Sequence, residues 1–226
     1  MTLRRKYAMA VFFFSFAALA SAQPEQYYYD PVLLNGKIYV FHVPPGTKGH
    51  QFLAQSEFSS GKLSLKGVDY DNVMLNYDIY NQQVLLKYAD VSGVSNPIIM
   101  SDAWIGGFSV NNKDFDVISS SDSLKQFYQT LGSGPYKVLY TFRKKLELSQ
   151  VHGASNRVFS EPIRRMYLFH EGTRTEYRNN RSFLGLFNKE KRNRIREFLR
   201  RNRINVKKSD DKEIRSLVSF INSPDE

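Results

Sequence analysis

The sequence predicts an α+β protein: a mostly antiparallel β part, sandwich- or barrel-like, followed by a C-terminal pair of amphipathic helices. Three observations carry this reading. From Gly61 onward, apolar and polar residues alternate at period two, as a half-buried antiparallel sheet requires. Turn-forming pairs rich in Gly and Asn separate these runs at hairpin spacing. Past residue 187 the apolar period lengthens to that of a helix.

Val32–Leu34 and Lys37–Phe41 flank Asn35-Gly36 and read as a hairpin, because this pair accepts the positive φ angles of a type I′ turn. Pro44-Pro45-Gly46 ends that unit. Leu63 and Leu65, then Val73, Leu75 and Tyr77, then Val84 to Tyr88 give three successive strands. Further strands are expected at Pro97–Met100, Gly107–Val110 and Phe115–Ile118. Phe127–Leu131 and Tyr136–Phe142 form a hairpin about Gly132-Ser133-Gly134-Pro135. Met166–Phe169 and Thr175–Arg178 form another about Glu171-Gly172. Residues 149–162 hold Ser, Gly, Asn and Pro without a clear period and read as a loop or linker.

Ser182 is the expected cap of a short turn through Phe187, and Asn188 of a helix reaching about Arg203, with Ile195, Phe198 and Leu199 on its buried stripe. Ser209 precedes Asp210 and Asp211, acidic residues of the kind a helix N-terminus favours. Ile214, Leu217, Val218 and Ile221 then follow at i, i+3, i+4 and i+7. Neither helix can bury its stripe alone, so the two are expected to pack on each other and on the sheet.

Residues 1–22 read as a secretory leader rather than as fold. Arg4, Arg5 and Lys6 precede an apolar run from Tyr7 to Leu19, and Ala20-Ser21-Ala22 supplies small residues for cleavage before Gln23. The run is too short for a membrane span, and no later stretch is long and apolar enough to serve as a spanning helix. The expected layout is therefore a leader (1–22), a β-rich part (23–148), a loop (149–162), and a hairpin with a basic two-helix segment (163–226) packed on the β part. The expected location is the periplasm or the periphery of the outer membrane.

The chain of 226 residues has no cysteine, which excludes disulfides, thiolate metal sites and thiol nucleophiles. Charge is divided unevenly. Residues 23–140 carry 8 basic and 11 acidic side chains, net −3; residues 141–226 carry 21 and 11, net +10. A field concentrated in one part of a chain points to an anionic partner.

The run Gly61-x-Leu63-x-Leu65-x-Gly67-Val68-x-Tyr70-x-x-Val73-x-Leu75-x-Tyr77-Asp78 resembles a recurrent class of small exported proteins of Bacteroidota. Similar too are the hairpins from Phe127 to Lys145 and about Tyr167-Leu168-Phe169. So are the segment Ser182-Phe183-Leu184-x-Leu186-Phe187 and the two closing helices. The likeness covers most of residues 55–222. It implies an envelope location in a Gram-negative cell and supplies no active site.

The most informative candidate lies in the helix from 189. At 100° per residue, Lys189, Arg192, Arg196, Arg200 and Arg203 fall within an arc of about 80°. Glu190 and Glu197 lie on another side, in reach of Arg194 and Arg201. The five cations thus lack an acidic partner within their own helix. The planar fork of arginine suits phosphate and carboxylate. The partner expected is an anionic envelope component (lipid phosphate, lipopolysaccharide, acidic glycan) or an acidic protein surface. The plain alternative is a solvated face, or pairing with Asp69, Asp71 or Asp78 of the sheet. Export removes nucleic acid, ATP and NAD from the expected partners.

No catalytic residue, metal or cofactor is expected. His42, His50, His152 and His170 are scattered, and Arg174 stands where a zinc-protease motif begun by His170-Glu171 needs its second histidine. Gly106-Gly107 and Gly132-Ser133-Gly134 lack the lysine and helix of a phosphate loop. The alternative function is an exported hydrolase acting on glycan or peptide, with Asp69 and Asp71 as its carboxylate pair. Tyr27-Tyr28-Tyr29, Trp104 and Phe108 suggest a sugar-stacking platform, against the commoner role of strand aromatics as core.

Overall fold

The computed structural model describes residues 30–89, 95–118, 126–149 and 156–224. The expected leader and the tyrosine run at 27–29 lie outside the described residues.

Thirteen strands are found among the described residues: β1 (Lys37–Ile38), β2 (Ser59–Leu65), β3 (Val68–Asp78), β4 (Gln83–Ala89), β5 (Ser95–Ile99), β6 (Ile105–Val110), β7 (Lys113–Ile118), β8 (Gln126–Leu131), β9 (Tyr136–Arg143), β10 (Leu146–Leu148), β11 (Arg157–Phe159), β12 (Ile163–His170) and β13 (Thr173–Tyr177). They precede α1 (Asn180–Leu184), α2 (Lys189–Arg201) and α3 (Asp211–Asn222). Eleven strands form one antiparallel sheet in the order β1-β5-β4-β3-β2-β6-β7-β8-β9-β12-β13, and β10 and β11 pair as a separate ribbon. The α+β class stands. The sheet stays open, with β1 and β13 at its edges, rather than closing into a barrel.

Three two-residue turns fix the register. Lys66-Gly67, Asn111-Asn112 and Glu171-Gly172 all have positive φ at both positions and join directly paired residues, as type I′ hairpins require. Gly61 has a different task. A Cβ there would sit 2.1 Å from the Ser109 carbonyl oxygen, where β2 shifts register against β3.

Two expectations are corrected. No hairpin forms about Asn35-Gly36. The Asp30 carboxylate accepts from the amides of Val32 and Leu33, which bends residues 31–34 into a turn, and β1 instead pairs with β5. Residues 149–162 are not only a loop, because β11 lies there and returns onto β10. Residues 150–155 lie outside the described residues.

The expected C-terminal helix pair is α2 and α3, and the expected short turn before it is the five-residue α1. Asn179, rather than Ser182, caps α1; its side chain accepts from the Ser182 amide while Ser182 reaches back, a reciprocal capping box. Asn188 caps α2 and Asp210 caps α3. The buried residues of α3 are Ile214, Leu217, Val218 and Ile221, the i, i+3, i+4, i+7 stripe of the sequence. The helix packs on β8 and β9. Phe198 of α2 stacks on Phe220 of α3 at 4.3 Å. Beneath, a cluster of Tyr77, Phe108, Phe115 and Phe127 joins the central strands by edge and stacked contacts. One continuous apolar core spans the sheet and all three helices.

Candidate anion-binding surface

The local sequence explains why α2 presents cations outward. Its apolar residues Ile195 and Leu199 are buried and Phe198 packs on α3, which leaves Lys189, Glu190, Asn193, Arg196, Glu197, Arg200 and Arg201 exposed. Glu190 in the first turn and Arg200 and Arg201 in the last complement the helix dipole. Glu197 holds Arg201 at 2.6 Å, the i, i+4 pair expected from the spacing.

The five predicted cations do not behave alike. Lys189, Arg196 and Arg200 are exposed on α2. Arg196 donates to its helix neighbour Asn193 at 2.8 Å. Arg192 is half-buried and serves the fold. Its Nε donates to the Leu184 carbonyl at 3.0 Å, which otherwise accepts only a long bond from the Phe187 amide at 3.4 Å, and its Nη2 donates to the Phe187 carbonyl at 2.7 Å, just past the end of α1. Arg203 is exposed but lies beyond α2, with φ at 54°, so the helical projection does not apply to it. The free stripe on the helix is therefore Lys189, Arg196 and Arg200. Among the described residues, none of the five forms an ion pair with an acidic side chain.

Two of the three acidic residues offered as alternative partners, Asp71 and Asp78, are engaged elsewhere. Asp78 is buried and accepts from Tyr39 Oη, the Tyr80 amide and both nitrogens of Asn81. Asp71 pairs with Lys62 at 2.9 Å. Asp69, Asp71, Asp114 and Asp116 line a shallow cleft of about 300 Å³ on the β2–β3–β6–β7 part of the sheet. Its carboxylates are exposed, Asp71 by 58% and Asp114 by 68%.

Sequence reasoning missed Lys191, and it named Arg194 only as a pairing partner of Glu190, not for its aromatic contact. Lys191 stands 4.3 Å from the Tyr136 ring, which stacks on His170 at 3.9 Å. Burial, and next the charge of Arg194, hold the Lys191 ammonium below its ordinary value. Arg194 lies over the Phe220 ring at 5.5 Å. The signal available for these two was their position beside the apolar stripe, where long cationic stems cover aromatic surface.

The aromatic platform does not assemble. Phe108 is buried and stacked on Phe115, and the Lys66 ammonium covers the Trp104 ring at 3.4 Å. The described histidines do not converge. His50 accepts from the Phe52 amide, and burial followed by the charge of Lys144 holds its imidazole below its ordinary value. His170 stacks on Tyr136, His42 is exposed, and His152 lies outside the described residues. Among the described residues no cluster of three or more His, Asp or Glu is arranged to hold a metal ion. No helix among them is long and apolar enough to cross a membrane.

Comparison of the chain with models of known protein families, with curated proteins and with solved structures finds no match.

Proposed function

We propose that this protein is an exported, non-catalytic envelope module that docks onto an anionic envelope component through the exposed cations of α2. The observation that supports this reading is the set Lys189, Arg196 and Arg200: exposed on one helix face, on a helix anchored by its other face, and without acidic partners among the described residues. Charges held on a rigid element and left unpaired attract an anionic surface at little ordering cost. The leader-like residues 1–22 and the resemblance to exported Bacteroidota proteins support the envelope as the place. The sheet serves as scaffold.

Charge reversal of Arg196 and Arg200 to Glu tests the docking. The wild-type protein is expected in the envelope fraction and to be released by rising salt, since exposed charges are screened. The double variant is expected in the soluble fraction at low salt. Unchanged fractionation would overturn the proposal. The hydrolase alternative predicts turnover of glycan or peptide that disappears in the Asp69→Asn, Asp71→Asn double variant.

A further inference from the structure

We propose that the cleft between the end of the β12–β13 hairpin and the connection from α2 to α3 binds the phosphoryl group of a phosphorylated ligand. The cleft holds about 400 Å³, within the range of small-molecule sites. Arg164, Arg165, Arg178 and Lys207 line it against a single acid, Glu176. That acid reaches only Arg178, at 3.7 Å, with the arginine side chain 85% exposed, so it neutralises little.

The placement of the cations carries an electrostatic cost that an anion relieves. Arg165 and Arg178 flank Met166 and Tyr177, the last pair of the hairpin, so both charges stand at its open end. Like charges held near one another repel. Arg164 is already positioned for binding. It is half-buried, its Nη2 donates to the Lys207 carbonyl at 2.7 Å, and its guanidinium lies 4.5 Å from the centre of the Tyr140 ring. Its other N–H groups meet no acceptor among the described residues.

The wall of the cleft adds no negative charge. Tyr177 lines it and is buried, and burial pushes its hydroxyl, like that of neighbouring Tyr140, above the ordinary tyrosine value, so both stay neutral beside Arg164. A phosphomonoester, at about −1.5 to −2, balances several cations better than one carboxylate does, and its oxygens match the arginine fork.

This inference goes beyond the docking reading, because it places a second anion site on residues outside α2, so the two readings fail separately. The test follows amide NMR shifts of the full-length protein with inorganic phosphate and, in a second arm, with phosphatidylcholine vesicles containing or lacking phosphatidic acid. Saturable shifts at residues 164–166, 176–178 and 207 are expected. Shifts with phosphate show that the free group suffices; shifts only with phosphatidic acid show that it is read on a lipid. The Arg165→Ser, Arg178→Ser double variant, altered only at exposed positions, is expected to lose about tenfold or more in affinity. The Arg196→Glu, Arg200→Glu variant keeps the shifts. No saturable shift in either arm, or equal affinity in the cleft variant, would overturn the proposal.

Discussion

Asp211 at the first turn of α3 ties the helix to the sheet through one carboxylate oxygen, which accepts from Lys113 Nζ and Gln129 Nε2, each at 2.6 Å. Burial works against its ionisation, but hydrogen bonds from Lys113 and Gln129 and nearby positive charge more than offset it, so the carboxyl titrates below its ordinary value. Asp30 is lowered as well, first through the Leu33 amide. A carboxyl held below its unfolded value contributes stability at neutral pH, and that contribution fades as pH falls through its folded value. The thermal midpoint is therefore expected to drop below about pH 4. Asp211→Asn should cost about 1–3 kcal/mol at neutral pH and flatten that acid limb. A variant with the wild-type pH profile would contradict this. Two arginines of α2 separate structure from surface in the same way. Arg192→Ala removes the side-chain donor from two carbonyls, of which that of Leu184 keeps only a long bond from the Phe187 amide, and should cost about 1–3 kcal/mol, whereas Arg200→Ala should stay within about 0.5 kcal/mol in a denaturant titration. Equal effects would remove the distinction drawn between them.

At the scale of elements, strands with a repeating apolar face were legible because period two survives any tertiary context that buries one side of a sheet. β2 and β3 are such strands, whereas β4, β8 and β9 bury consecutive residues and were legible as apolar runs bounded by turn residues. The exceptions are instructive. The Asn35-Gly36 pair is a strong local hairpin signal, but Asp30 supplies a competing side-chain acceptor five residues earlier, outside the window in which the pair is read. β10 and β11 have three residues each, too few to show a period, and they exist because their backbones pair with each other. The α2 stripe was legible as a face, but the bonding of Arg192 was not. Its acceptors are carbonyls at and just past the end of α1, a helix of five residues with little pattern of its own. The helical layer should respond to its core more than to its caps. Leu217→Ala on the buried stripe of α3 is expected to cost about 2–5 kcal/mol, and Asn188→Ala at the start of α2 about 1 kcal/mol. Chemical denaturation of both variants checks the order; a larger loss from the cap would contradict it.

For the whole molecule, the uneven charge acquires a spatial meaning. The acidic cleft belongs to β2, β3, β6 and β7, while the exposed cations belong to α2 and to the β12–β13 end. Export is the other whole-chain premise. Protein recovered from the envelope is expected to begin at Gln23 when sequenced from its N-terminus, and a chain beginning at Met1 in the cytosol would contradict the location. The docking claim itself is tested most directly by sedimenting purified protein with isolated envelope membranes across a salt series. Each cation near an anionic surface contributes about 1 kcal/mol, so reversing Arg196 and Arg200 should weaken binding by about tenfold or more and reduce its salt dependence. Binding of equal strength and equal salt dependence in the reversed variant would contradict the account.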